Sequence, residues 1–91
     1  MEYITCTDAE YAQYCKEDTN RQLLKGYRQA IAHLKEVQDC IDGQAGKLVP
    51  MWLGFPAYRV LMDTKRGIKA YENELTLRGY DLITLKKKKH V

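Results

Sequence analysis

The sequence predicts an all-α fold: a short N-terminal helix, an antiparallel hairpin of two long helices, a short extended C-terminal segment and a basic tail. Three observations predict it. Apolar residues recur at helical spacing over residues 23–41 and again over residues 58–75. Thr7 with Glu10, and Thr19 with Gln22, have the spacing of capping boxes at helix starts. Gly43 and Gly79 stand where the two long patterns stop. At 91 residues the chain is one domain with a marginal core, a size at which oligomerisation commonly supplements burial. Residues 1–85 form that domain, and residues 86–91 the basic tail.

Thr7 opens the first helix, in which Ala9, Tyr11, Tyr14 and Cys15 give two to three amphipathic turns ending near Asp18. Its expected place is across one end of the hairpin. After Thr19 the residues Leu23, Tyr27, Ile31, Leu34, Val37 and Ile41 follow at steps of four, four, three, three and four. That stripe defines the second helix, with Gly43 suited to the left-handed residue that closes it. Gly43-Gln44-Ala45-Gly46-Lys47 is a flexible connection. Pro50 and Pro56 bracket Met51-Trp52-Leu53-Gly54-Phe55, so this segment is neither a regular helix nor a central strand but an apolar corner. From Ala57 the third helix carries Tyr58, Leu61, Met62, Ile68, Tyr71 and Leu75 on its apolar side. Gly67 weakens it and Gly79 ends it. Leu82-Ile83-Thr84-Leu85 is β-prone and is expected to run beside Tyr3-Ile4-Thr5.

Charge is divided unevenly. The net +3 includes Lys86, Lys87, Lys88 and Lys89, so residues 1–85 sum to −1. The first twenty residues hold Glu2, Asp8, Glu10, Glu17 and Asp18 against Lys16 alone. Basic tails contact phosphates or partners, or are simply solvated. No eighteen-residue apolar run and no basic leader with a cleavage site appears, which predicts a cytoplasmic chain without a membrane partner. Cys6, Cys15 and Cys40 are odd in number and lack C-x-x-C spacing, so neither a disulfide framework nor a metal site is expected, and no cofactor. A thiol nucleophile with His33 as base lacks a third, orienting group.

Two basic stripes are candidates for phosphate contact: Lys25, Arg28 and Lys35 on the second helix, and Arg59, Arg66 and Lys69 on the third. Glu36, Asp39, Asp63 and Glu72 interrupt them, as on an ordinary solvated face. Seven tyrosines occur, and Tyr27-Arg28, Tyr58-Arg59 and Arg78-Gly79-Tyr80 set rings beside guanidinium groups. That pairing suits base stacking and protein interfaces alike. Trp52 and Phe55 form either an aromatic wedge for a base step or a lid closing the hairpin.

In order, Gln22-x-Leu24-x-x-Tyr27-Arg28-Gln29, a glycine-containing helix end, a Pro-led apolar corner, and Ile68-x-x-Tyr71 running into Arg78-Gly79-Tyr80 make a set. Over residues 20–82 it resembles the endonuclease V-type pyrimidine-dimer DNA glycosylases and their bacterial and phage relatives. The resemblance implies a small helical DNA-binding fold that flips a nucleotide from the duplex. It also implies an N-terminal amine nucleophile exposed by loss of the initiator Met, and a glutamate directly after the Tyr-Arg pair. Here residue 2 is Glu, too large for the usual Met removal, and Gln29 stands at the glutamate position. An amide does not titrate near neutrality, so no catalytic residue is assigned; a lysine such as Lys25 is the remaining source of an amine.

The expectation is therefore a DNA-binding, catalytically impaired glycosylase-like protein, with contacts from Lys25, Arg28, Gln29, Arg59, Arg66, Lys69, Arg78, Tyr80 and Lys86–Lys89. The alternative is a small phage-type interaction or inhibitor protein that binds another protein and dimerises through its hairpin.

Overall fold

The computed structural model describes residues 6–88. Three helices, α1 (Asp8–Glu17), α2 (Asn20–Gly43) and α3 (Ala57–Leu77), account for most of them, and β1 (Met51–Trp52) pairs with β2 (Phe55–Pro56) between α2 and α3. The fold is thus mostly helical rather than purely so. Both capping boxes form: the Thr7 hydroxyl accepts from Glu10 N at 3.1 Å while Glu10 accepts from Thr7 N at 3.0 Å. Thr19 and Gln22 repeat the exchange at 3.2 and 2.9 Å. Such caps stabilise a helix by about 1 kcal/mol each.

α2 and α3 lie antiparallel. Near the start of α2, Tyr27 donates its hydroxyl to Glu72 at 3.0 Å, late in α3. Val37 and Ile41, late in α2, share a cluster with Ala57, Val60 and Leu61, at the start of α3. Gly26 lets the helices close, since a Cβ there would stand 2.5 Å from the Tyr71 hydroxyl. α1 does not cross the end of this hairpin as expected. It lies along α3, held by Tyr11 to Asp63 at 2.7 Å and by Arg66 to Asp8 at 2.8 Å. Its single buried residue, Cys15, joins the core through that side.

Leu23, Tyr27, Ile68, Leu75 and Cys15 make one cluster at the open end of the hairpin, and the cluster of Val37, Ile41, Ala57, Val60 and Leu61 fills the closed end. Leu34 touches both. Several residues of the expected stripes lie outside: Ile31, Tyr58 and Met62 of the long helices are exposed, as are Ala9 and Tyr14 of α1. On α3 Ala57, Val60 and Leu61 are the buried residues of the first turns, and the helical period turns Tyr58 and Met62 outward.

The Pro-bracketed corner is a two-residue hairpin in which Met51 faces Pro56 and Trp52 faces Phe55. Leu53 (φ 47°) and Gly54 (φ 86°) give it the twin positive φ of a type I′ turn. Gln44 pins it from the end of α2, accepting from Met51 N at 2.9 Å and donating to Met51 O at 2.8 Å. Gly43 remains helical; the left-handed residue of the connection is Gly46, φ 98°.

α3 ends in a Schellman motif, with Tyr80 N donating to Leu75 O and left-handed Gly79 donating to Thr76 O. The following segment is not extended. Asp81 accepts from Ile83 N at 2.7 Å and Thr84 N at 3.0 Å, so residues 82–84 turn. Two side-chain bonds from a single carboxylate outweigh the β propensity of isolated residues. Tyr80 then forms an antiparallel bridge with Lys87, which ties the chain back on itself. The expected pairing with Tyr3-Ile4-Thr5 lies outside the described residues. The molecule measures 53 × 24 × 15 Å, with a radius of gyration of 15.2 Å; a compact chain of this length would have about 12 Å.

Candidate nucleic-acid interface

The candidate cations divide into those the fold consumes and those it leaves outside. Arg78 belongs to the first group. Its guanidinium donates to Glu74 at 2.9 Å, to Asn20 at 2.9 Å, and to the carbonyls of Cys15 and Lys16 at 3.0 and 3.2 Å. It caps the C-terminus of α1 and bolts that helix to α2 and α3. Arg66 is likewise engaged, by Asp8 and the Cys6 carbonyl, with Asp63 at 3.9 Å. It shares the rim of a cavity of about 220 Å³ with Asp8, Ala12, Lys69, Ala70 and Asn73. The Asp8 hydrogen bond holds the Arg66 guanidinium above its ordinary pKa.

Lys25, Arg28 and Gln29 are exposed on α2, as are Arg59 and Lys69 on α3 and Lys86, Lys87 and Lys88 after it. None of these seven cations forms a salt bridge among the described residues. Lys88 exerts a through-space pull on Asp81, whose carboxyl is held low first by the Thr84 and Ile83 amides. Lys89 lies outside the described residues, as does the N-terminal amine.

Arg28 and the C-terminal loop meet at a second cavity of about 310 Å³, lined by Tyr27, Arg28, Ile31, Leu82 and Leu85. Its walls are apolar and its rim carries the guanidinium. Burial, then the Glu72 hydrogen bond and charge, pushes the Tyr27 phenol above its ordinary pKa, so it stays a neutral donor. Leu82 and Leu85 pack on the open-end cluster, and half-buried Tyr80 packs with them. Residues 86–88, which follow Leu85 of the cavity wall, are tied back to the end of α3 by the Tyr80 bridge and by Lys88 N donating to Gly79 O at 2.8 Å.

The aromatic corner sits at the opposite end. Trp52 and Phe55 are half-buried against the closed-end cluster, and His33 meets Trp52 edge-on at 5.5 Å. The side chains that project are Leu48 at 101%, Leu53 at 84%, Val49 at 53% and Met51 at 41% exposure. Sequence reasoning missed Gln44 and Asp81, the two side chains that shape the loops. Asp81 was legible as an Asx turn, because an Asp before a short polar-flanked segment commonly bonds the amides two and three residues on.

Burial raises the pKa of the Cys15 thiol, which leaves it unreactive. Among the described residues no group of three or more His, Cys, Asp or Glu could hold a metal ion, and no helix is long and apolar enough to cross a membrane. Compared with family models, curated proteins and solved structures, the chain finds no match.

Proposed function

We propose that this chain is a small helical nucleic-acid-binding protein, similar in scaffold to the pyrimidine-dimer DNA glycosylases but lacking their chemistry. One observation carries the reading: Arg28 lines an apolar cavity at the open end of the hairpin, and Leu85 of its wall leads directly into the anchored run Lys86–Lys88. Cations without internal partners neutralise phosphates, while Tyr27, Ile31, Leu82 and Leu85 offer an apolar wall to a sugar or an unstacked base. Lys25, one turn before Arg28, extends the charge along the backbone. Arg66 and Arg78 leave the set, because each would have to abandon carboxylates and carbonyls that hold α1 in place.

Gln29 stands beside Arg28 where the resemblance implies a glutamate. It binds through its amide without transferring a proton, so the bound nucleic acid is held and not cleaved.

Fluorescence anisotropy with duplex, single-stranded and abasic-site DNA, at low and physiological salt, tests the reading. Binding should weaken with salt, by roughly one unit of log–log slope for each duplex phosphate neutralised. Arg28→Ala and a Lys86→Ala/Lys87→Ala pair should each flatten that slope. No binding at low salt would remove the proposal. A covalent complex trapped by borohydride would overturn the loss of chemistry.

A second reading has its own observation. Leu48, Val49, Met51 and Leu53 crowd the closed end with exposed apolar surface, which suits a protein partner rather than a phosphate chain. Leu53→Asp should abolish capture of such a partner and leave DNA affinity unchanged.

A further inference from the structure

The outward face of α2 has a charge order that its own fold does not use. Arg21, Lys25, Arg28, Ala32, Glu36, Asp39 and Gly43 follow at steps of four, three, four, four, three and four. Such steps keep all seven on one side of a helix, and that side is opposite buried Leu23, Val37 and Ile41. All seven are exposed. Their charged groups form no salt bridge and no side-chain hydrogen bond among the described residues.

The order of signs also runs against the helix. Anions stabilise an N-terminus and cations a C-terminus, yet α2 has no acidic residue in its first turn and no basic residue in its last. Cations occupy the first half of the stripe and anions the second, with exposed Lys35 on its flank the one cation beside the anionic half. Within one chain this arrangement is a cost.

A second copy removes the cost. The steps read the same in both directions from Ala32, and the signs on either side are opposite. Turned about a two-fold axis at Ala32, α2 sets Lys25 opposite Asp39 of its copy and Arg28 opposite Glu36, each pair occurring twice. The small alanine at the axis allows the close helix approach that such pairs need. Antiparallel packing also places each misplaced charge cluster beside the favourable end of the other helix. We propose that this face is the interface of a homodimer, with two α2 helices antiparallel about Ala32. Nucleic acid is the rival occupant for Lys25 and Arg28, but it has no use for Glu36 and Asp39 at mirrored positions. The dimer and the nucleic-acid reading compete for Lys25 and Arg28, and the dimer is tested without nucleic acid.

Sedimentation equilibrium of the full chain at low salt should show a monomer–dimer equilibrium whose dissociation constant rises with salt. The variants Lys25→Glu/Arg28→Glu and Glu36→Lys/Asp39→Lys should each be monomeric alone, with self-association weakened at least about tenfold by four like-charge contacts. Mixed in equal amounts they should form a heterodimer, since all four pairs are then oppositely charged, two with their original signs and two with the signs exchanged. Ala32→Trp, at an exposed position, should block the dimer by bulk while far-UV circular dichroism stays native, and serves if a charge reversal fails to fold. A wild-type chain that stays monomeric at low salt, a reversed variant that dimerises like wild type, or a mixture that stays monomeric would overturn the interface. Ala32→Trp keeps Lys25, Arg28 and the net charge, so its DNA affinity reports on the nucleic-acid reading separately.

Discussion

Leu53 and Leu85 both sit at positive φ, 47° and 56°, yet only one has a packing reason. Leu85 packs on the open-end cluster, and that burial offsets a backbone state costing about 1–2 kcal/mol for an L residue. Leu53 is 84% exposed and packs on nothing comparable. Its turn type is normally filled by Asn, Asp or Gly. Leu53→Asn should therefore raise stability by about 0.5–1 kcal/mol, whereas Leu85→Ala should lower it by about 1–2 kcal/mol through lost apolar burial. Urea midpoints at constant m-value decide both. Opposite signs are expected from two leucines in one backbone conformation. A strained residue that folding alone does not justify fits a contact role at the closed end.

Among the elements, α1 depends most on a single side chain. Arg78 satisfies carbonyls at its C-terminus, and Arg78→Lys keeps the charge but cannot reach Glu74, Asn20, Cys15 and Lys16 together. We expect a loss of about 2 kcal/mol, read by urea denaturation. Hydrogen exchange should rise first in α1, while α2 and α3 stay protected. The C-terminal loop has a different control. Asp81 is held below the usual carboxylate range by the Thr84 and Ile83 amides. A depressed folded pKa stabilises above the unfolded value, about 4, and that stabilisation is lost as pH falls through the folded pKa. Protection of the Ile83 and Thr84 amides, taken against their intrinsic exchange at each pH, should therefore fall in acid before the helices open. Asp81→Asn, which keeps an oxygen acceptor but does not titrate, should make the loop insensitive to that change.

At the scale of the whole molecule, what the sequence disclosed follows from range. Helix starts and the α2 stripe were legible because capping boxes and apolar steps span three or four residues. Gly79 was legible for the same reason. The fates of Arg66 and Arg78 were not, because Asp8 and Asn20 lie 58 positions away from them. A basic residue on a helical stripe looks the same whether or not a distant carboxylate meets it. The position of α1 along α3 was hidden likewise, since Tyr11 and Asp63 are 52 positions apart.

The dimensions of 53 × 24 × 15 Å have a consequence for how the protein tumbles. A 24-residue helix is about 36 Å long, so α2 fits only along the longest axis, with α3 beside it. Amide N–H vectors in a helix point nearly along its axis, so most of those in the molecule are aligned. In nuclear spin relaxation the helical amides should report a slower effective rotation than the obliquely oriented amides of residues 82–87, apart from any internal motion. Side-by-side pairing through α2 would widen this plank without lengthening it. Overall rotation would slow while the ratio between the two classes moved toward unity, whereas end-to-end association would slow rotation and move the ratio further from unity.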